Sequence, residues 1–507
     1  MFKLLRAAFA ASVIVAGSQA QASWNVAKSK HFVIYANANP NVLRGFANKL
    51  EYFDQAVRLA THSDDPTVGD GNRLTVFVMP SVNDVRALAG DKSGFLYGFY
   101  TGRVEGSLAY VANEALTSDD ENAVLYHEYT HHLMMEDIDR PYPEWYVEGF
   151  AEFFSTPRFQ RDGVWLGVPV ESRAWGLYHG PKMPVANLFA GMQPNMTKEQ
   201  KEVFYGRSWL LAHYLLLEKP RQGQLTNYVD AIAQGATPLA AGTQVFGDLS
   251  KLDRELDQYM SRPMTEFKIG VANMHVSPID VQPLSEGASQ VVLIRAKLKK
   301  GAKGADAEAL AAQLRPIEAR YRGDLLVEST LAEAELDAGH ADAAEAAATR
   351  AVAANPADTE ALVLKGRGLE AQAHNADGDA RKALFEKARE TFIAANKLDT
   401  EDPEPLNDFY WSFLDEGERP NANAIAALHY ASDLAPQDIG VRMNSAIAFL
   451  EEGKLKDARS TLAVVAYSPH AEQAAVVAKR MMADIDAGNG RAALAEAHIS
   501  SPPQAGR

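Results

Sequence analysis

The spacing of apolar residues divides the chain into a mixed first half and a helical second half. His31-Phe32-Val33-Ile34-Tyr35 and Arg73 to Met79 are rich in β-branched and aromatic residues, which predicts strands. Between them Asn39-Pro40 is a helix-start pair, and Leu43, Phe46, Leu50, Phe53, Ala56 and Leu59 then recur at helical spacing. A short helix over Val82 to Ala89 leads into a Gly- and Tyr-rich loop or hairpin, Gly94 to Gly106, and a third strand, Ser107 to Ala112. The order strand, helix, strand, helix, strand predicts a small α+β layer. Further helices are expected from a start at Ser118 to about Met135, at about Pro143–Phe154, at Phe204–Leu217, at Leu225–Gln234 and at Leu249–Met260. Val164 to Val170 is expected as an edge strand, because Pro169 cannot donate to a ladder.

The helix after the third strand carries the chemistry. Ser118 followed by Glu121 reads as a capping box, and His127-Glu128-Tyr129-Thr130-His131 is a complete H-E-x-x-H. Residues four apart share a helix face, which is the separation two imidazoles need to hold one zinc ion. Glu128 lies about 100° further round, where a base for the attacking water belongs. The next helix carries Glu148 and Glu152, also four apart, beside the small residues Gly149 and Ala151, which should let the two helices approach closely. The aromatic residues Phe95, Tyr97, Phe99 and Tyr100 could line a cleft or simply pack, and His132 should point away from the pair it follows.

Composition narrows the setting. The chain has 507 residues, no cysteine and a formal charge of -16. The acidic balance argues against a nucleic-acid partner, and the missing cysteines leave histidine and carboxylate as metal donors. Lys3 and Arg6, the apolar run Ala7 to Ala16 and Ala20-Gln21-Ala22 together read as a signal peptide cleaved after Ala22. No later stretch approaches a membrane span, so an exported protein without an integral membrane segment is expected, in the periplasm or outside the cell.

From about Ala305 the residues turn to Ala, Glu and Leu. Pro403, Pro436 and Pro469 are 33 apart, Pro356 precedes them by 47, and each follows an Ala-rich helical stretch. A polar insertion around His374 to Asp379 can absorb the longer gap, and Gly339, Gly417 and Gly453 stand where helices would turn back. This period resembles tetratricopeptide repeats, over about Asp324 to Gly490. The expected division is a signal peptide (1–22), a catalytic unit (23–262), a junction (263–304), helical repeats (305–490) and a disordered tail (491–507).

The segments HEYTH and Trp145-Tyr146-Val147-Glu148-Gly149-Phe150-Ala151-Glu152 resemble those of the gluzincin zinc metallopeptidases of the peptidase MA-like superfamily. The resemblance implies an α+β zincin-like domain in which His127, His131 and Glu148 ligate Zn2+ and Glu128 is the general base. It also implies that Leu108–Ala112 is the edge strand along which an extended peptide lies. Glu152, one turn after Glu148, is placed to fix the tautomer of a ligating imidazole, although the two carboxylates could exchange roles. Tyr205 is similar in position to a tyrosine that stabilises the oxyanion in some relatives, and it could equally be one more aromatic in an apolar helix. The expected function is an exported zinc metallopeptidase whose repeats recruit a protein partner or substrate. The alternative is a non-catalytic repeat adaptor with a structural or vestigial zinc site.

Overall fold

The computed structural model describes residues 24–92, 96–136, 141–169, 171–468 and 471–500. The expected signal peptide and Phe95 lie outside them. Strands β1 (Trp24–Lys28) and β2 (Phe32–Asn37) are followed by helix α1 (Pro40–Thr61), β3 (Leu74–Met79), α2 (Val82–Ala89), β4 (Gly98–Thr101) and β5 (Leu108–Ala112). Asn39 caps α1 by accepting from the Asn41 N–H, and Pro40 occupies its first turn. The face Leu43, Phe46, Leu50, Phe53 and Ala56 is buried, whereas Leu59, expected on it, is 38% exposed.

In the main sheet β2, β3 and β5 run parallel, and the order is β4-β5-β3-β2-β1. The Leu108–Ala112 strand is therefore not an edge. β4 covers its outer side antiparallel, pairing Gly98 with Val111 and Thr101 with Leu108. The reason is legible in retrospect: Leu108–Ala112 is apolar throughout and buried throughout, as interior strands are. The four-residue β4 is the short edge.

Next come α3 (Ala123–Met135), α4 (Glu144–Phe154), β6 (Arg158–Gln160), β7 (Gly163–Leu166), α5 (Glu171–His179), α6 (Val185–Phe189) and α7 (Lys198–Leu217). After them stand α8 (Gln224–Ala233), α9 (Pro238–Phe246), α10 (Leu249–Met260), β8 (Phe267–Gly270), β9 (Asp280–Pro283) and α11 (Glu286–Gly301). Two expectations change here. β7 ends before Pro169 and is the centre of a second sheet, β6-β7-β8, rather than an edge. The 263–304 stretch is no junction: β8 completes that second sheet, β9 pairs with β1, and α11 packs Val292 and Ala296 against Phe77 and Tyr110 of the main sheet.

One apolar core joins the other face of the main sheet to α1, α3, α4, α7, α8 and α10, with Phe32, Phe46, Tyr126, Trp145, Phe153 and Phe204 fully buried. Each such side chain contributes roughly 1.5–3 kcal/mol. The Trp145 indole N–H donates to the Tyr228 hydroxyl at 3.0 Å, so its one polar atom is satisfied.

The second half is entirely helical among the described residues. α12 (Ala305–Arg320) precedes five antiparallel pairs: α13 (Leu325–Asp337) with α14 (Ala341–Ala354), α15 (Thr359–His374) with α16 (Gly378–Leu398), α17 (Pro403–Glu416) with α18 (Ala422–Leu434), α19 (Ile439–Glu451) with α20 (Leu455–Tyr467), and α21 (Glu472–Asp486) with α22 (Gly490–Ser500). Gly339, Gly417 and Gly453 take φ of +85°, +91° and +75° at the turns inside three pairs, a conformation that costs glycine little. The longer gap after Pro356 is taken up mostly by helix length, since α15 and α16 have 16 and 21 residues against 14 and 13 in α17 and α18. Fully buried alanines such as Ala347, Ala388, Ala431 and Ala458 let the helices pack closely. The expected tail is helical as far as Ser500, because Ala493 and Ala497 close the last pair, and the remainder lies outside the described residues. The protein is thus a mostly helical chain, with a small mixed sheet in its first half and a helical-repeat array in its second.

Candidate metal centre

The helix that carries HEYTH is held from both ends. Ser118 Oγ accepts from the Glu121 N–H at 3.3 Å, but the turn it caps is a 3-10 turn, and α3 itself begins later, at Ala123. Asn122 ties that start down by donating to the Ala115 and Ser118 carbonyls at 2.6 and 2.8 Å. Leu125, Tyr126, Tyr129, Thr130, Met134 and Met135 are buried, so most of the circumference of α3 is core.

Behind α3 a buried ionic network locks it to α1. Tyr129 donates to Asp54 at 2.8 Å, Asp54 accepts from Arg58 at 2.9 Å, and Arg58 reaches Glu136 at the end of α3 at 2.7 Å. His31 Nδ1 lies 2.8 Å from Glu51 and 3.5 Å from Asp54. Burial opposes the imidazolium of His31, but the hydrogen bond with Glu51 and the charge of Asp54 outweigh it and raise its pKa. Burial opposes ionisation of Glu51 too, and His31 nevertheless holds its pKa down. His31, Glu51 and Asp54 have the composition of a metal site, yet the Arg58 guanidinium already neutralises it, and we read the cluster as structural. A raised histidine pKa stabilises the fold fully below its ordinary value of about 6.5 and progressively less as pH rises through the raised value. The melting temperature of the wild type should therefore exceed that of His31→Asn most near about pH 6 and least near about pH 9. A gap that widens with pH would contradict the assignment.

On the other side of α3 three donors converge. His127 Nε2 and His131 Nε2 are 3.0 Å apart, and Glu148 Oε2 lies 3.4 Å from the first and 3.7 Å from the second. Four ligands at zinc distances of 2.0–2.1 Å in a tetrahedron stand about 3.4 Å from one another, so the triangle fits one zinc ion without rearrangement. Burial disfavours a charged His127, yet the bond to Glu148 and the charges of Glu152, Glu148 and Glu128 raise its pKa to about 9. A site that draws a proton so strongly draws a cation for the same reason. Glu152 sits on the opposite side of the His127 ring, its Oε1 3.5 Å from Nδ1, and it accepts from Arg173 at 2.6 Å. Arg173 also donates to Glu202 at 2.7 Å and lies 4.8 Å from the Tyr205 ring centre. Burial and the charge of Glu148 lift the Tyr205 phenol above its ordinary range, so it stays protonated.

Glu128 is half-buried, and its charge acts on both His127 and Tyr100 of β4. Tyr100 of β4 donates to Ser107 at 2.8 Å and shares a hydrogen bond with His132 Nδ1 at 2.9 Å. Burial raises the Tyr100 pKa, the bond to Ser107 opposes this, and the charge of Glu128 adds to it. His132 thus has a defined partner, and burial lowers its pKa to about 4. The expected aromatic cluster divides: Phe99 stacks on Tyr110 at 4.6 Å on the far face, while Tyr97 is 42% exposed. Arg173 and the role of Tyr100 were missed in the sequence. Arg173 belongs to a helix with a weak apolar pattern, and Tyr100 to a stretch legible only as loop or hairpin.

Gly149 has a different neighbour from the one expected. A Cβ there would stand 2.3 Å from the Ser208 carbonyl oxygen of α7, so its smallness serves the packing of α4 on α7 rather than on α3. Gly149→Ala should destabilise the fold by roughly 1–3 kcal/mol through overpacking and displace Glu148 next to it. Calorimetry and metal analysis on the same preparation check this, and an unchanged melting temperature would refute the close packing.

No family model matches the chain, and no curated protein matches it. Among solved structures, a thermophilic TPR protein of Thermus thermophilus aligns at 19% identity over 34% of this chain and 90% of its own, with a TM-score of 0.30. So distant a likeness carries no conclusion about fold or function.

Proposed function

We propose that the chain is an exported zinc-dependent metallopeptidase with a zincin-like catalytic unit, to which the helical repeats add a surface for a protein partner or substrate. The observation that supports it most is the convergence of His127 Nε2, His131 Nε2 and Glu148 Oε2, with Glu128 on the same helix. Zinc held there would polarise a scissile carbonyl and lower the pKa of water to about 7. Glu128 takes a proton from the attacking water and returns it to the leaving amine. Tyr205, protonated, would donate a hydrogen bond to the developing oxyanion. Glu152 fixes the His127 ring through Nδ1, leaving Nε2 for the metal, and Arg173 holds Glu152 in turn. The free side of β4 offers backbone donors and acceptors to an extended peptide, the part first expected of Leu108–Ala112.

A second reading, a repeat adaptor whose zinc is structural, draws on the exposed apolar residues Ile393, Leu398 and Tyr430 on α16 and α18. Zinc content and cleavage of a mixed peptide library separate the two. The enzyme reading expects one equivalent of zinc and hydrolysis that a chelator stops and added zinc restores. One equivalent of zinc with no cleavage of any library member would leave the adaptor. On the sequence pattern of residues 1–22 we place the protein in the periplasm or the medium, and fractionation of expressing cells tests that.

A further inference from the structure

The loop that joins β4 to β5 ends inside the repeat array. Val104 is 5% exposed and packs among Leu406 of α17, Leu428 and Ala431 of α18, and Val441 of α19. Its backbone N–H donates to Asp438 Oδ2 at 2.8 Å, while Oδ1 of the same carboxylate caps α19 at the Val441 N–H. Glu105 lies 3.8 Å from Arg367 of α15, while Arg103 turns to α11, outside the array, and donates to the Lys299 and Lys300 carbonyls at 2.9 and 3.1 Å. The repeats thus match an apolar knob, a backbone donor and a carboxylate, which is how a groove holds a peptide, here one of its own chain.

At the base of the loop the contact continues toward α3. Gln437, in the turn between α18 and α19, donates from Nε2 to Ser107 Oγ at 3.1 Å. The fully buried Ser107 also accepts from Tyr100, whose hydroxyl meets His132 beside the candidate ligand His131. Gly102 runs so close beneath Gln437 that a Cβ there would lie 2.8 Å from its Cγ.

We propose that the repeats clamp the β4–β5 loop and thereby hold the edge strand in place against α3, with Gln437 as a positioning residue. A four-residue edge strand has little pairing of its own and opens easily unless something outside the sheet restrains it. α17 to α19 supply that restraint. The clamp stands on these contacts alone; its effect on substrate alignment rests on the metallopeptidase reading.

The test compares the full-length, zinc-loaded protein with its Gln437→Ala variant. Hydrogen exchange of the β4 amides bonded to β5 should quicken by roughly tenfold, the size of one lost neutral hydrogen bond, while β2 and β3 exchange as before. KM for a cleaved peptide should rise by a similar factor with kcat within about twofold, because only alignment is loosened. Unchanged β4 exchange, or a rise shared by β2 and β3, overturns the clamp. Faster β4 exchange with unchanged KM in an active enzyme overturns the positioning role. If the wild type cleaves nothing, the metallopeptidase reading falls, and the exchange measurement still decides the clamp.

Discussion

Glu128→Gln should keep its zinc and lose about 10²–10⁴-fold in kcat/KM, the range that one general base supplies. The substitution is nearly isosteric and sits on a helix whose other faces are fixed by Tyr126, Tyr129, Thr130 and Met134, so the fold has no reason to move. The amide cannot accept the proton that a carboxylate takes from water. His127 and His131 converge through their own Nε2 atoms and do not require Glu128 for their approach. Elemental analysis and peptide turnover on the same samples check the pair of outcomes. Turnover that survives the substitution would remove Glu128 from the chemistry, whereas joint loss of zinc and activity would make it a structural neighbour of the site.

The second large effect concerns the third donor. Glu148→Ala should lower zinc affinity by well over about 100-fold, beyond the roughly 10- to 100-fold that removal of an outer carboxylate costs and that we expect for Glu152→Ala. The asymmetry follows from the geometry. Glu148 Oε2 lies 3.4 and 3.7 Å from both converging nitrogens, whereas Glu152 Oε1 lies 3.5 Å from the opposite ring nitrogen of one histidine. Competition with a chelator of known affinity measures both variants. The reverse order would exchange the two carboxylates.

The convergence of the two histidines could be read directly from the sequence, and the reason is locality, whereas the ligand role of Glu148 came from the resemblance of its segment. His127 and His131 lie on one turn of one helix, so their proximity follows from the helical repeat alone. The helix pairs were equally legible, because Gly339, Gly417 and Gly453 punctuate them within a few residues. What escaped depends on contacts between distant segments. The unbroken apolar run of β5 hinted at an interior strand but not at β4 as its partner, and no local pattern says that Arg173 would reach Glu152. The strands β8 and β9 are four residues each and poorly patterned, and only their partners, β7 and β1, make them strands. Residues 263–304 consequently looked like a connector.

The pairing of β9 with β1 also orders events in time. Asn25 pairs with Pro283, so nearly the whole first half of the chain lies between the two strands that close the main sheet. Closing so long a loop is slow, and a chain emerging from its N-terminus cannot begin it until Pro283 is available. Until then β1 presents a bare ladder of backbone groups to neighbouring molecules. A chaperone that shields extended segments would therefore have its longest task at β1, and a chain that stops at Met260 would expose that edge permanently.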